Sequence, residues 1–392
     1  MPRLTRRSSV DAGAFLLVAW DPAVIAVTRE AARSLAGSPD IQLVSPDEAL
    51  HRLVGPGPAP THVVLEEDAG HPLGQALLQA AADPFSGVGV VMVAPHGGRS
   101  THVPAARGLR TVMPDAGSLA AALGAPRTMR RPLDGPEALA TGMSRGEITV
   151  RFQPIVSLVD RRLLLLEALA RWERPDAALG AAAFVGMAER AGLAAQLAAV
   201  VASRALSELA ALPSRRHVRL TFNMPLAVLL QPELPRWLST AVRSAGLDRR
   251  DLLIELTESM AVTDTSHLRR ALQRLRTAGF GVLLDDLALY DRRAHLLDLP
   301  FAGVKLDRSL VNSVPTSFRA RAEVRQIVRR AHAGGMFVVA EGVADPQLWR
   351  AALATGCDMA QGFGVGRPLS AAALPAWQTA WRAAMLEPAK QA

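Results

Sequence analysis

The chain holds one cysteine, Cys357. An internal disulfide is therefore excluded, and a thiolate metal centre is not expected. A reducing cytoplasm is the expected compartment. There is one tyrosine, Tyr290, and aromatic residues make up 4% of the chain. The arginines thus lack the aromatic interleaving of a nucleic-acid surface, and the net charge of +8 reads as compositional bias. No DNA partner is expected, although a modest basic field favours a small anionic ligand. No charge-free apolar run reaches ~18 residues, so no membrane span is expected. The start, MPRLTRRSSVDAGAFLLVAWDP, is basic with a short apolar run. Asp11 and Asp21 bracket that run and no small-residue cleavage site follows, which is not a signal-peptide pattern. Lysine is scarce too: Lys305 and Lys390 are the only two among 44 Lys and Arg.

Against these scarcities stand 392 residues, of which 49% are apolar. Since one domain takes ~100–200 residues and an α/β barrel ~250, two domains are expected. Residues 14–123 alternate short apolar runs with helical segments. AFLLVAW, IQLVS, THVVLEE, GVVMVA and LRTVMP read as strands of a parallel, doubly wound sheet. The segment 125–136, APRTMRRPLDGP, reads as a linker, and PEALATGMSRGEI as a lead-in helix. The expected division is 1–124, a linker and lead-in helix over 125–140, and a second domain over 141–385. That domain carries eight strand candidates: TVRFQPIV, LLLLEALARW, VRLTFNMP, LLIELTES, FGVLLDDL, GVKLDRS, FVVAEGV and MAQGFGVG. Helical segments separate most of them, which suits a (β/α)₈ barrel.

Nearly every barrel strand carries a polar residue late in its run: Gln153, Glu167, Asn223, Glu255, Asp285 with Asp286, Lys305 with Asp307, Glu341 and Gln361. Buried charge is costly unless it is paired or holds a metal. The C-terminal strand ends of a barrel converge on one face, where active sites lie. Glu167, Asn223, Glu255 and Asp285 are oxygen donors, and hard oxygen ligands select Mg²⁺ or Mn²⁺ over Zn²⁺. Two adjacent aspartates suit two ions about 3.5–4 Å apart, an arrangement that serves phosphodiester hydrolysis. A lysine in a chain that otherwise writes Arg points to a compact charge near water or phosphate. Glu341 is a candidate base.

At these residues the sequence resembles the EAL-domain family of cyclic di-GMP phosphodiesterases. Glu-Ala-Leu occurs three times, at Glu48, Glu137 and Glu167, but only the third is flanked by FQPIV and LARW. FNMP, LIELTES, LLDD, VKLDRSLV, VVAEGV and AQGFGVGRPLS then follow in the family's order. The resemblance spans about residues 140–380. It implies a TIM-like barrel that cuts cyclic di-GMP to linear pGpG with Mg²⁺ or Mn²⁺, in a homodimer. It implies that Glu167, Asn223, Glu255 and Asp285 ligate metal and that Asp286 assists a second ion. Lys305 and Glu341 would activate or orient water, and Glu258 would support the loop after the aspartates. Gln153, Arg171, Asp307, Gln361 and Phe363 would line the dinucleotide pocket. One departure bears on activity. The family's glycine-rich FGTGYSS is LALYDRR here, residues 287–293, without glycine. In the family this loop helps seat the second metal and couples the site to dimerisation. A receptor that binds without cutting is therefore the alternative expectation. Ala344 also stands where the family has a second Glu.

The N-terminal part resembles a response-regulator receiver (flavodoxin-like) without its chemistry. Only Asp21 follows the first strand, Glu66 stands near the phosphoacceptor position, and Ala94 and Met113 replace the usual hydroxyl and lysine. A pseudo-receiver that serves dimerisation or a protein partner is the expectation.

Overall fold

A computed structural model describes residues 14–35, 37–67, 73–94, 109–124, 135–174, 177–212, 218–257 and 262–386. The chain divides after residue 128 into two compact units. Most of the expected linker, and Glu258, lie outside the described residues.

The first unit is a five-stranded parallel sheet: β1 (Phe15–Val18), β2 (Ile41–Leu43), β3 (His62–Glu66), β4 (Gly89–Val93) and β5 (Leu109–Val112). Its order is β2-β1-β3-β4-β5, all parallel, which is the flavodoxin-like order. Helical segments form at Pro22–Arg33, Pro46–Val54, Gln75–Ala81 and Ala116–Gly124. Asp21 and Ser45 cap the first two, each followed by a proline at the first helical position. Phe15, Leu17, Val64, Val91 and Val93 pack with Leu119 and Leu123 in one buried cluster. That is why these strands read as nearly continuous apolar runs.

The second unit opens with the helix Pro136–Ser144 and then forms the barrel. Its strands are β6 (Ile148–Ser157), β7 (Leu163–Glu173), β8 (Ala178–Gly180), β9 (Arg219–Met224), β10 (Leu252–Leu256), β11 (Gly281–Leu287), β12 (Gly303–Leu306), β13 (Phe337–Ala340) and β14 (Met359–Gln361). All eight expected strands are present. The order is β6-β14-β13-β12-β11-β10-β9-β7-β8, and β6 also pairs with β7, which closes the barrel.

Two strands depart from an all-parallel barrel: the short β8, which runs antiparallel to β7, and β6. β6 runs antiparallel to both β7 and β14. The reason is local, because only residues 158–162 join β6 to β7. Parallel neighbours need a crossover of a dozen or more residues, whereas a short turn makes a hairpin. β6 therefore brings Gln153 to the site from mid-strand, directly opposite Glu167.

The barrel interior is layered. Leu165, Leu253, Leu283 and Val339 are fully buried in one cluster with Ile155. Each lies two residues before an acidic residue of its own chain segment: Glu167, Glu255, Asp285 and Glu341. With a side-chain period of two, an apolar floor sits directly beneath an acidic layer. At the other end of these segments, Gly362 lets the turns after β13 and β14 cross. A Cβ there would meet the Val343 backbone at 2.4 Å.

Candidate active site

Lys305 organises the acidic layer. Its Nζ lies 3.2 Å from Glu167 Oε2, 3.0 Å from Glu255 Oε2, 3.1 Å from Asp285 Oδ1 and 2.6 Å from Glu341 Oε1. The lysine side chain is 2% exposed. One ammonium thus faces four carboxylates from four different segments, so the cluster keeps an excess of negative charge. Neutral donors complete it. Asn223 Nδ2 donates to Glu167 Oε1 at 3.1 Å, and Gln361 Nε2 donates to Glu167 Oε2 at 2.5 Å. Gln361 Nε2 also donates to Gln153 Oε1 at 3.1 Å. Thr221, buried beneath Asn223 on β9, donates its hydroxyl to Glu255 Oε1 at 2.5 Å. Sequence reasoning missed Thr221. Its only signal was a polar residue two positions before Asn223, on the same strand face.

The electrostatics follow from this packing. Burial pushes Glu255 well above the ordinary carboxylate range, and its neighbours Glu167 and Asp285 add to that. Burial also acts on Glu167, but Lys305 and Gln361 outweigh it and hold Glu167 below its ordinary value. Burial raises Asp285 to about 6 and Glu341 to about 8, against the pull of Lys305. Lys305 itself is held well above its ordinary value: burial opposes its charge, and the surrounding carboxylates overcome that. An acid whose folded pKa exceeds its unfolded one takes up a proton on folding, so stability falls as pH rises between the two values. In chelator, the denaturant midpoint of this unit should therefore fall as pH rises from the usual carboxylate range through about 8, where Glu341 ionises. A midpoint flat across that window would mean that the cluster carries no extra proton.

The two aspartates sit in a β-bulge. Along β11 and β12, Leu284 pairs with Val304 and Leu287 with Leu306, so Asp285 and Asp286 stand opposite the single residue Lys305. In a regular strand, adjacent side chains point to opposite faces. The extra residue, with Asp286 at φ +54, brings both carboxylates to one side. Oxygens of Asp285, Asp286 and Glu341 lie within 4.8 Å of one another, the spacing of a group that can hold a divalent cation. Asp285 Oδ1 is buried, and the Lys305 ammonium stands 3.1 Å from it. Excess charge and all-oxygen donors fit Mg²⁺ or Mn²⁺. Burial pushes the Cys357 thiol up to about 11, so the single thiol is inert.

The other expected residues are less tightly gathered. Gln153 Nε2 donates to the Gly366 carbonyl at 3.2 Å. Arg171 lies four residues beyond Glu167 on β7 and donates to the Ala170 carbonyl at 2.9 Å. Asp307 caps the helix Arg308–Ser313, accepting from the Ser309 amide at 2.8 Å. Phe363 is 44% exposed, and the Arg367 guanidinium lies 4.1 Å from its ring centroid. The loop after the aspartates reaches positive φ without glycine, at Tyr290 as well as Asp286. In the first unit, the Glu66 carboxylate is buried and accepts from the amides of Trp20, at 2.6 Å, and Asp21, at 3.0 Å.

Fold and site together define a class: barrels whose strand ends carry a buried carboxylate cluster of metal-ligating geometry. The chain belongs to the EAL-domain family, whose domain matches residues 136–368. Over 250 residues it is 33% identical to the cyclic di-GMP phosphodiesterase NbdA of Pseudomonas aeruginosa, a match that covers 63% of this chain and 32% of that protein. The cyclic di-GMP phosphodiesterase RocR of the same organism is 29% identical over 231 residues, covering 58% of this chain and 59% of RocR. The chain thus spans about a third of the first of these relatives and under two thirds of the second. Among solved structures, the PaMucR phosphodiesterase in its cyclic di-GMP complex superposes with a TM-score of 0.56 at 26% identity, over 61% of this chain and 98% of that one. The manganese and cyclic di-GMP complex of Klebsiella pneumoniae BlrP1 superposes at 0.50 and 26%, over 62% and 59%. No described helix is long and apolar enough to cross a membrane.

Proposed function

We propose that this protein hydrolyses cyclic di-GMP to linear pGpG with Mg²⁺ or Mn²⁺. The observation that carries this reading is the carboxylate cluster around the Asp285–Asp286 bulge, whose oxygens lie within 4.8 Å of one another. Glu167, Asn223, Glu255 and Asp285 would hold one ion, and Asp286 would assist a second. Bound divalent ions would supply charge neutralisation and a nucleophile usable near neutral pH. Glu341, at about 8, is suited to taking a proton from attacking water. Lys305, 2.6 Å from Glu341, orients that carboxylate and stabilises its ionised form. Gln153, Arg171, Asp307, Gln361 and Phe363 are the proposed dinucleotide contacts, and Glu258 a support for the loop. The first unit acts as a pseudo-receiver for dimerisation or a partner. Its Glu66, already engaged by two backbone amides, supports a role without phosphoryl transfer.

A second reading has its own support: Lys305 already stands among the four carboxylates as an internal counter-ion. A protein so balanced would bind cyclic di-GMP without cutting it. Incubation with cyclic di-GMP and Mg²⁺ or Mn²⁺, with pGpG followed by chromatography and binding measured in parallel, separates the two. Metal-dependent pGpG is the expected result. Saturable binding without product would favour the receptor, and neither binding nor product would defeat both readings.

A further inference from the structure

We infer that Arg293, clamped by Asp291, is the positioning residue that holds the aspartate bulge in metal-binding geometry. This rests on the proposed metal-dependent reading. A bulge takes its residues out of the ladder, and the β11–β12 register skips Asp285 and Asp286. Backbone carbonyls left inside a protein need donors from elsewhere. Arg293 supplies them. Its Nη1 donates to the Asp285 carbonyl at 2.9 Å and its Nη2 to the Asp286 carbonyl at 2.5 Å.

The guanidinium is in turn fixed by Asp291. Nε lies 3.2 Å from each carboxylate oxygen, and Nη2 lies 2.7 Å from Oδ2. Asp291 also accepts from the Ala288 amide at 3.3 Å and from the Arg293 amide at 2.7 Å. Both side chains are mostly buried, at 17% and 13% exposure. The loop is thus closed on itself by one ion pair and its backbone bonds. That closure matters at Asp286, whose left-handed conformation is strained for any residue but glycine and persists only where its surroundings over-determine it. A glycine-rich loop relieves such strain by being permissive. This loop has no glycine between Asp286 and Asp291 and is held by charge.

Only a guanidinium can do this. Its planar fork reaches two carbonyls and a carboxylate at once, whereas an ammonium is a single point. Arg293→Lys is therefore the informative change, with Asp291→Asn as a milder one and the exposed neighbour Arg292→Ala as the control. Mn²⁺ affinity would be titrated calorimetrically on purified protein without substrate. Hydrolysis would be measured over a range of Mn²⁺, and melting temperature in chelator. Arg293→Lys should weaken Mn²⁺ binding by about 10–100-fold, the range for residues that support metal ligands. Its kcat should recover as Mn²⁺ is raised. Asp291→Asn should lie between it and the wild type, and Arg292→Ala should match the wild type. A folded Arg293→Lys with wild-type Mn²⁺ affinity would overturn the inference and leave the proposed function standing. If Arg293→Lys does not fold, unaltered affinity in Asp291→Asn overturns it instead. Wild-type protein that binds no Mn²⁺ defeats the inference together with the reading beneath it.

Discussion

Glu167→Gln should lower the kcat for cyclic di-GMP hydrolysis by at least about 100-fold at saturating Mn²⁺, since even the outer partners of metal ligands are worth about 10–100-fold. The change is nearly isosteric, so the barrel should keep its shape. What changes is the charge at the centre of the network. Glu167 accepts from Asn223, Gln361 and Lys305 together, and only a carboxylate has the acceptor capacity for all three. An amide offers one acceptor oxygen and turns two N–H groups toward existing donors. It also removes one of the proposed anionic ligands. Product chromatography at several Mn²⁺ concentrations measures the effect. Full activity in the variant would remove Glu167 from the catalytic set.

Lys305→Met should have the largest effect on stability. Removing one partner of a buried ion pair typically costs about 3–5 kcal/mol, because the remaining charge is left uncompensated. Here four carboxylates lose the same ammonium. The loss should be greatest in chelator and smaller in Mn²⁺, since a cation bound by the same oxygens replaces part of the missing charge. Guanidinium unfolding of wild type and variant, with chelator and with Mn²⁺, reads both quantities. Equal stability in chelator would mean that the cluster tolerates its own repulsion, and Lys305 would then have no structural share.

Much of this was legible before any coordinates. Apolar runs that carry Gln, Glu, Asn, Asp or Lys mark strands that bring polar side chains into a barrel mouth, and each of the eight formed. Lys305 was conspicuous because the chain so seldom uses lysine. The hairpin of β6 and β7 was also readable: six residues between FQPIV and LLLLEALARW are too few for a crossover. The bulge was not readable. Leu-Leu-Asp-Asp-Leu is compatible with an unbroken strand, and a one-residue shift is set by the partner strand, which local sequence does not contain. Arg293 was hidden for another reason. It is one of many arginines, and its value depends on where two carbonyls of the bulge come to rest. The loop's missing glycine was legible, whereas the Asp291–Arg293 ion pair that closes it was not.

The apolar floor beneath the carboxylates has a consequence for traffic. Ile155, Leu165, Leu253, Leu283 and Val339 put a fully buried layer under the carboxylates, with the Thr221 hydroxyl level with Leu253 and bonded up to Glu255. Any ion or nucleotide that this site binds would therefore enter and leave at the strand ends. In a site reached from one end, what lies nearest the mouth would have to clear before anything deeper could be exchanged.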